Sequence, residues 1–374
     1  MVIKKDNQVF SFIDNKPRLL IFAKILLLIT FLYLFILSIT LLGHSFKLMG
    51  KGFAESIFDA TTNPLVGLFI GILTTAIIQS SSTTTSIVVG MVGSGMISIG
   101  NAVPIVMGAN IGTSVTNLIV SLAHLSHKEE FKRAFAGSIV HDFFNVCSVI
   151  VLFPLEVKFK IISKSAVWAF DHTFGFGGLK FASPLAVISK SVSKQIAHLL
   201  GDVGWLSAVV ALIMLFIALR YIVVVLKSLV LTKVEKFFQR YIFRTPALGF
   251  SLGAILTSLV QSSSITTSLV VPLVGAGVVS LEQIYPYILG ANVGTTITAF
   301  LASFAVNTPE AVKVAYAHLI FNIYGILIFW PLKKIPISLA VKLSEIVQHR
   351  RIISIIYIII FFFVVPGIVI YLLR

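Results

Sequence analysis

The chain has 374 residues, 57% of them hydrophobic and 11% charged, with a mean hydropathy of +1.02. A soluble domain carries about 25% charged residues, so a water-soluble globule is excluded and a polytopic membrane protein is indicated. The formal charge of +15 does not imply nucleic acid, because Lys and Arg are spread over loops between apolar runs, as juxtamembrane positive charge is.

Met1 to Arg18 is polar, and the apolar run Leu19 to Leu42 is too long for a signal-peptide core and has no Ala-x-Ala cleavage pattern. It reads as a retained first transmembrane helix, followed by a short amphipathic connection, Gly43 to Asn63. Residues 1–63 thus form a tail, a span and a connector. A first unit follows over 64–157, with Ala102 to His124 and Lys132 to Phe153 long enough to be full helices. Lys158 to Gly204, with Gly175, Gly177, Gly178 and Pro184, reads as an extramembrane loop with interfacial helices. Trp205 to Leu231 spans again and Thr232 to Arg244 reads as a basic loop, completing a linking region over 158–245. A second unit occupies 246–332, and 333–374 holds an interfacial segment and a last helix, Ile352 to Leu373.

The two units are copies. Pro64 to Asn117 aligns without a gap onto Pro246 to Ala299 with 24 identities in 54 pairs. The shared residues include Gln79-Ser80-Ser81-Ser82 with Gln261-Ser262-Ser263-Ser264, and Gly108-Ala109-Asn110 with Gly290-Ala291-Asn292. After a five-residue deletion His141, Asn145 and Pro154 match His318, Asn322 and Pro331. Such self-similarity is the first feature to look for in a fold.

In each unit the apolar segments flanking the polar strip are only about 15 residues long, short of the roughly 20 a crossing needs. They read as a hairpin or broken helix meeting at the strip, which is tolerated at membrane depth only where it lines a protein-enclosed cavity. With the N-terminus cytoplasmic, the positive-inside rule puts His127 to Arg133, Thr232 to Arg244 and Lys333 to Arg351 inside, and Val306 to Ala311 and the C-terminus outside. The first hairpin then enters from outside and the second from inside. The expected fold is an all-α polytopic membrane protein of two inverted-topology repeats.

Inverted repeats with interrupted helices point to a secondary transporter with its site between the units. The competing account is that Ser and Thr only allow close helix packing; two matched strips, each with a Gln and a following Gly-x-Asn-x-Gly-Thr, favour the site. No Lys, Arg, Asp or Glu occurs from Pro64 to His124, and only Glu282 from Thr245 to Pro309. The site is therefore built of hydroxyls, amides and backbone, which suit hard cations and, through hydroxyls and half-helix N-termini, an anion. A dianion alone in such a cavity would be costly, and bound cations would supply the missing charge. Thr113 and Thr116, like Thr295 and Thr298, share a helix face and can direct hydroxyls at the strips or back-bond to their own helices.

Asp142 sits in an apolar run, whereas Leu319 takes its place in the second unit. An intramembrane carboxylate is a functional candidate; the alternative is a helix-end Asp paired with Arg133 or a lysine. His141 and His318 read as packing or hydrogen-bonding residues, since no second ligand pair is spaced to bind a metal with them. Cys147 is the only cysteine, which leaves no intramolecular disulfide and no Cys-based metal site. Nothing is spaced as a catalytic nucleophile and base, and no nucleotide-binding loop is present, so the chain does not read as an enzyme.

These residues resemble the type II sodium-phosphate cotransporter family, whose hallmark is a paired Gln-Ser-Ser-Ser motif in two inverted repeats. The likeness runs from about Pro64 to Pro331 and includes Arg133-Ala134-Phe135-Ala136-Gly137 and Val140-His141-Asp142. It implies sodium-driven symport of inorganic phosphate in the plasma (inner) membrane, with no cofactor beyond the co-transported sodium. On that basis the candidate phosphate ligands are Ser80, Ser81, Ser82, Ser262, Ser263, Ser264, Asn110 and Asn292. Candidate sodium ligands are Gln79, Thr83, Thr113, Thr116, Gln261, Ser262, Thr266, Thr295, Thr298 and Asp142, with sodium the only metal expected. In the family an aspartate matching Asp142 goes with an additional sodium, implying three sodium ions rather than two and net inward charge. Rival readings are a carrier of another oxyanion, a membrane phosphate sensor and a channel. The likeness departs at Lys158 to Gly204, which lacks the cysteines of animal members, and at the chain's end, one helix earlier than theirs and without the regulatory domain of many bacterial relatives. Expected partners are phosphate, sodium and membrane lipid, and no nucleic acid.

Overall fold

The structure is a computed structural model that describes residues 17–122, 128–173, 184–241, 245–350 and 352–373. Among them every regular element is helical. Seven stretches are long and apolar enough to cross a membrane: Leu20–Leu48, Ile99–Ser121, Lys128–Phe159, Gly204–Leu226, Leu281–Val306, Pro309–Phe329 and Ile352–Leu373. Apolar side chains such as Phe22, Leu26, Ile213, Ile355 and Ile359 face outward, while serines, threonines and asparagines are buried inside. This is the inverse of a soluble protein and fits lipid as the surrounding solvent.

Helix α1 (Pro17–Leu48) leads into α2 (Lys51–Thr62), which meets α3 (Pro64–Ile78) at 101°. The connector expected over 43–63 is thus mostly helix. Asn63 caps α3 by accepting from the Leu65 N–H, with Pro64 at its first position. Helix α4 (Ser81–Ser94) follows, then α5 (Ile99–Gly112) and α6 (Ser114–Ser121), which together form one span. Next come α7 (Lys128–Phe159), α8 (Ile161–Thr173), α9 (Pro184–Leu199) and α10 (Gly204–Tyr241). The second unit contains α11 (Pro246–Val260), α12 (Ser263–Ser268), α13 (Val271–Gly275), α14 (Leu281–Val306) and α15 (Pro309–Phe329). Helix α16 (Lys334–His349) precedes a last span of α17 (Ile352–Ile359), a π turn (Ile360–Val364) and α18 (Val365–Leu373).

Glycines decide whether each strip is a hairpin or a kinked span. Gly67 lies beside Pro104, Gly71 against Ile105, and Gly112 against Thr75. Positions on α3 and α5 advance together, so the two helices are parallel neighbours, and α4 must run back between them. The first strip is therefore the tip of a re-entrant hairpin. In the second unit Gly253 lies against Tyr287 and Gly294 against Thr257, which makes α11 parallel to α14 and gives a second hairpin. At 15 residues, α3 and α11 are each roughly 22 Å long at 1.5 Å per residue, too short to cross a bilayer core of about 30 Å.

The hairpins open in opposite directions. Gly93, at the end of α4 and next to the start of the α5–α6 span, faces Val306, Thr308 and Ala311 at the α14–α15 junction. Gly275, at the end of α13, faces Ala134 and Glu130 at the start of α7. The α5–α6 span separates these two levels, so the repeats are inverted. They also exchange supports: α8, which follows the first repeat, packs on α15, and α16, which follows the second, packs on α7.

One sequence expectation changes. Thr232 to Arg244 is not a loop as far as it is described: α10 continues to Tyr241. The region Lys158 to Gly204 contains α8 and α9, and α9 lies along α1 with the Thr40 and Ser189 hydroxyls 3.2 Å apart. Gly175, Gly177 and Gly178 lie outside the described residues, as do His127, at one end of the expected inside loop His127 to Arg133, and His124, at the end of the expected helix.

Candidate transport site

Both hairpin tips use the same backbone. Gln79 and Gln261 are left-handed, at φ 59° and 58°, and their N–H groups each donate to the carbonyl four residues back, Thr75 and Thr257, at 2.7 Å. This conformation is uncommon for residues other than glycine, and its recurrence at both strips shows that the motif dictates it. Ser80 and Ser262 are then extended and cap the returning helices, Ser80 Oγ accepting from the Thr83 N–H at 3.2 Å and Ser262 Oγ from the Ile265 N–H at 3.4 Å.

The glutamines fold back identically. Each Nε2 donates to a carbonyl at 2.6 Å, Ala76 in one copy and Ser258 in the other. Each Oε1 accepts a threonine hydroxyl from the parallel helix, Thr116 at 2.8 Å and Thr298 at 2.7 Å. Thr116 and Thr298 therefore reach the strips as their spacing suggests. Thr113 and Thr295 instead donate to Ala109 and Ala291 of their own helices, and Thr266 to Ser262, while Thr83 Oγ1 donates to Ser80 Oγ.

The two tips meet. Ser82 Oγ donates to the Gln261 carbonyl at 3.1 Å, and Ser264 Oγ to the Thr113 carbonyl at 3.5 Å. Ser81, Ser82, Ser263 and Ser264 are all buried. Their hydroxyls stand in the first turns of the returning arms, where backbone N–H groups lack partners within the helix and the helix dipole is positive. Asn117, which the sequence did not single out, joins α6 to the second strip: its Nδ2 donates to Thr267 Oγ1 at 2.8 Å and its Oδ1 accepts from Ser268 Oγ at 2.9 Å.

A second polar layer ties the repeats together. His141 Nε2 lies 2.6 Å from Asn292 Oδ1, and Asn292 Nδ2 donates to Asn145 Oδ1 at 2.8 Å. Asn145 Nδ2 in turn donates to the Asn110 carbonyl at 3.1 Å, and His318 Nε2 is 3.4 Å from Asn110 Oδ1. An amide oxygen only accepts, so His141 carries its proton on Nε2, and its Nδ1 accepts from Ser114 Oγ at 3.1 Å. The histidines bond across the repeats, in keeping with a structural role. Among the described residues no group of His, Cys, Asp and Glu could hold a metal ion.

Asp142 is fully buried, and Tyr357 of α17 donates its hydroxyl to Oδ2. Arg133 does not pair with it, since Arg133 Nε donates to the Gly275 carbonyl at 2.8 Å. Asp142 stands in the interior of α7 rather than at its end, and among the described residues neither Arg133 nor a lysine forms an ion pair with it.

A sequence model described as Na+/Pi-cotransporter matches residues 34–181 and 213–361, each range holding one repeat. The chain belongs to the Na+/Pi-cotransporter family. It is 34% identical to human sodium-dependent phosphate transport protein 2B over 94% of this chain and 66% of that protein. It is 36% identical to sheep sodium-dependent phosphate transport protein 2A over 92% of this chain and 67% of that protein. The chain thus spans about two thirds of the length of these curated relatives. No solved structure matches it. This is a family of transporters rather than enzymes, and the member described here is a multi-pass membrane protein.

Proposed function

We propose that this member of the family carries inorganic phosphate into the cell with sodium, by alternating access at the junction of the two hairpin tips. The observation that carries the reading is the junction itself: two inverted, capped, hydroxyl-lined half-helix starts joined by the Ser82 to Gln261 bond. Family membership and relatives named as sodium-dependent phosphate transport proteins support the substrate and the coupling ion.

In this reading Ser80, Ser81, Ser82, Ser262, Ser263 and Ser264 donate hydroxyl and backbone N–H groups to phosphate. The Gln79–Thr116 and Gln261–Thr298 pairs, with Thr83, Thr113, Ser262, Thr266 and Thr295, supply neutral oxygens for sodium. Asn110 and Asn292, expected as phosphate ligands, direct side-chain atoms to His318 and His141, which favours a role in aligning the repeats. A neutral site cannot hold a dianion at low dielectric without nearby cations, so sodium must enter with it. Asp142 adds a third sodium and makes each cycle carry net positive charge inward, across the plasma membrane.

The test is radiolabelled phosphate uptake into proteoliposomes. An inward sodium gradient should drive accumulation, and an inside-negative potential should quicken it in the wild type but not in Asp142→Asn. Ser82→Ala should slow uptake by about tenfold or more, the loss expected when a donor to a charged ligand is removed. Excess sulfate should compete poorly. Uptake indifferent to sodium would overturn the reading.

A further inference from the structure

Asp142 receives a side-chain hydrogen bond from outside both repeats. Tyr357 lies in the last span, is half-buried, and its hydroxyl donates to Asp142 Oδ2. The other oxygen, Asp142 Oδ1, is buried and has no hydrogen-bond partner, and no Lys or Arg among the described residues forms an ion pair with Asp142. Ser114 Oγ, which also reaches the Asp142 carboxylate, lies 3.1 Å from His141 Nδ1. A carboxylate buried in this way has one oxygen fixed and one free to meet a cation.

The tyrosine ring packs against aromatic neighbours of its own segment. It stacks on Phe361 at 5.3 Å with planes 10° apart and meets Phe362 edge-on at 6.0 Å. The π turn Ile360–Val364 begins three residues after Tyr357, and such turns inside α-helices are frequent at functional positions. Beyond it, α18 packs on α3, the entering leg of the first hairpin. One helix therefore touches both Asp142 and a hairpin.

We propose that Tyr357 is a positioning residue for a cation at Asp142: by occupying Oδ2 it fixes the carboxylate so that Oδ1 faces the ion. The last helix thus belongs to the transport machinery although it lies outside the repeats. The proposal deepens the reading of Asp142 as a sodium ligand and rests on it. Leu319, the counterpart of Asp142, needs no such partner, which accounts for a single tyrosine serving only the first repeat.

The experiment compares wild type, Tyr357→Phe, Asp142→Asn and the double variant in proteoliposomes, measuring uptake against sodium and against phosphate at a clamped potential. Phenylalanine keeps the ring and its stacking. Tyr357→Phe should raise the half-saturating sodium concentration by about tenfold, the scale of one hydrogen bond to a charged group, and leave half-saturation by phosphate at high sodium unchanged. In the Asp142→Asn background the same change should add nothing. Tyr357→Phe lowering only the maximal rate, or shifting sodium dependence equally in both backgrounds, would overturn the proposal. Asp142→Asn leaving sodium and potential dependence unaltered would instead overturn the underlying reading of Asp142, and the proposal with it.

Discussion

The two repeats share a backbone and differ in their polar contacts. Both tips turn at a left-handed Gln, both glutamines grip a threonine, and both serines cap a returning helix. Yet Gln79 is exposed while Gln261 is buried. His141 bonds through both ring nitrogens, whereas His318 Nδ1 has no partner. Asn117 grips the opposite strip, and Ala299 stands in its place in the second repeat. The comparison teaches that the motif specifies local geometry, while the contacts between the repeats differ from one half to the other. The proposed alternating access calls for such an inequality, because two equally satisfied halves would leave the access path symmetric.

The comparison can be broken most severely where the repeats are alike. Gly108 and Gly290 press against the carbonyls of Leu68 and Phe250, with no room for a Cβ. Gly108→Leu and Gly290→Leu should each cost about 3 kcal/mol or more through overpacking and remove folded protein, as read by thermal unfolding in detergent. Normal stability in either variant would refute the parallel α3–α5 or α11–α14 pair.

A smaller effect sharpens the inequality. His141→Ala deprives Asn292 Oδ1 and Ser114 Oγ of a partner, while His318→Ala breaks one long contact to Asn110. Stranding buried polar atoms costs about 1–3 kcal/mol each, so the first variant should lose clearly more stability than the second, in the same melting assay. Equal losses would mean that the two halves are equivalently bonded.

Much of this was legible in the sequence, and the failures have physical causes. The repeat, the strips and the interruption of the chain at each strip followed from 24 identities and from apolar segments too short to cross. The choice of hairpin over kinked helix needed the glycine contacts, which only the folded chain displays. Helix α10 was cut short because Lys, Glu, Gln and Arg after Thr232 look like loop residues, although they are good helix formers. Asn117 escaped because attention to shared residues passes over an Asn matched by Ala299. Tyr357 escaped because it lies in a nearly uniform apolar run; its one signal was that Ser354 and Tyr357, three apart, put hydroxyls on one face of the last span.

The most direct test of the central claim, that both hairpin tips line one alternating path, is access to each tip from the two sides of the membrane. With Cys147 replaced by Ser, Ser81→Cys and Ser263→Cys would be treated in sealed vesicles with an impermeant thiol reagent, added outside or trapped inside. The account predicts that each thiol reacts from both sides, and that sodium and phosphate together slow both reactions. A tip that reacts from one side only, with or without substrate, would contradict it.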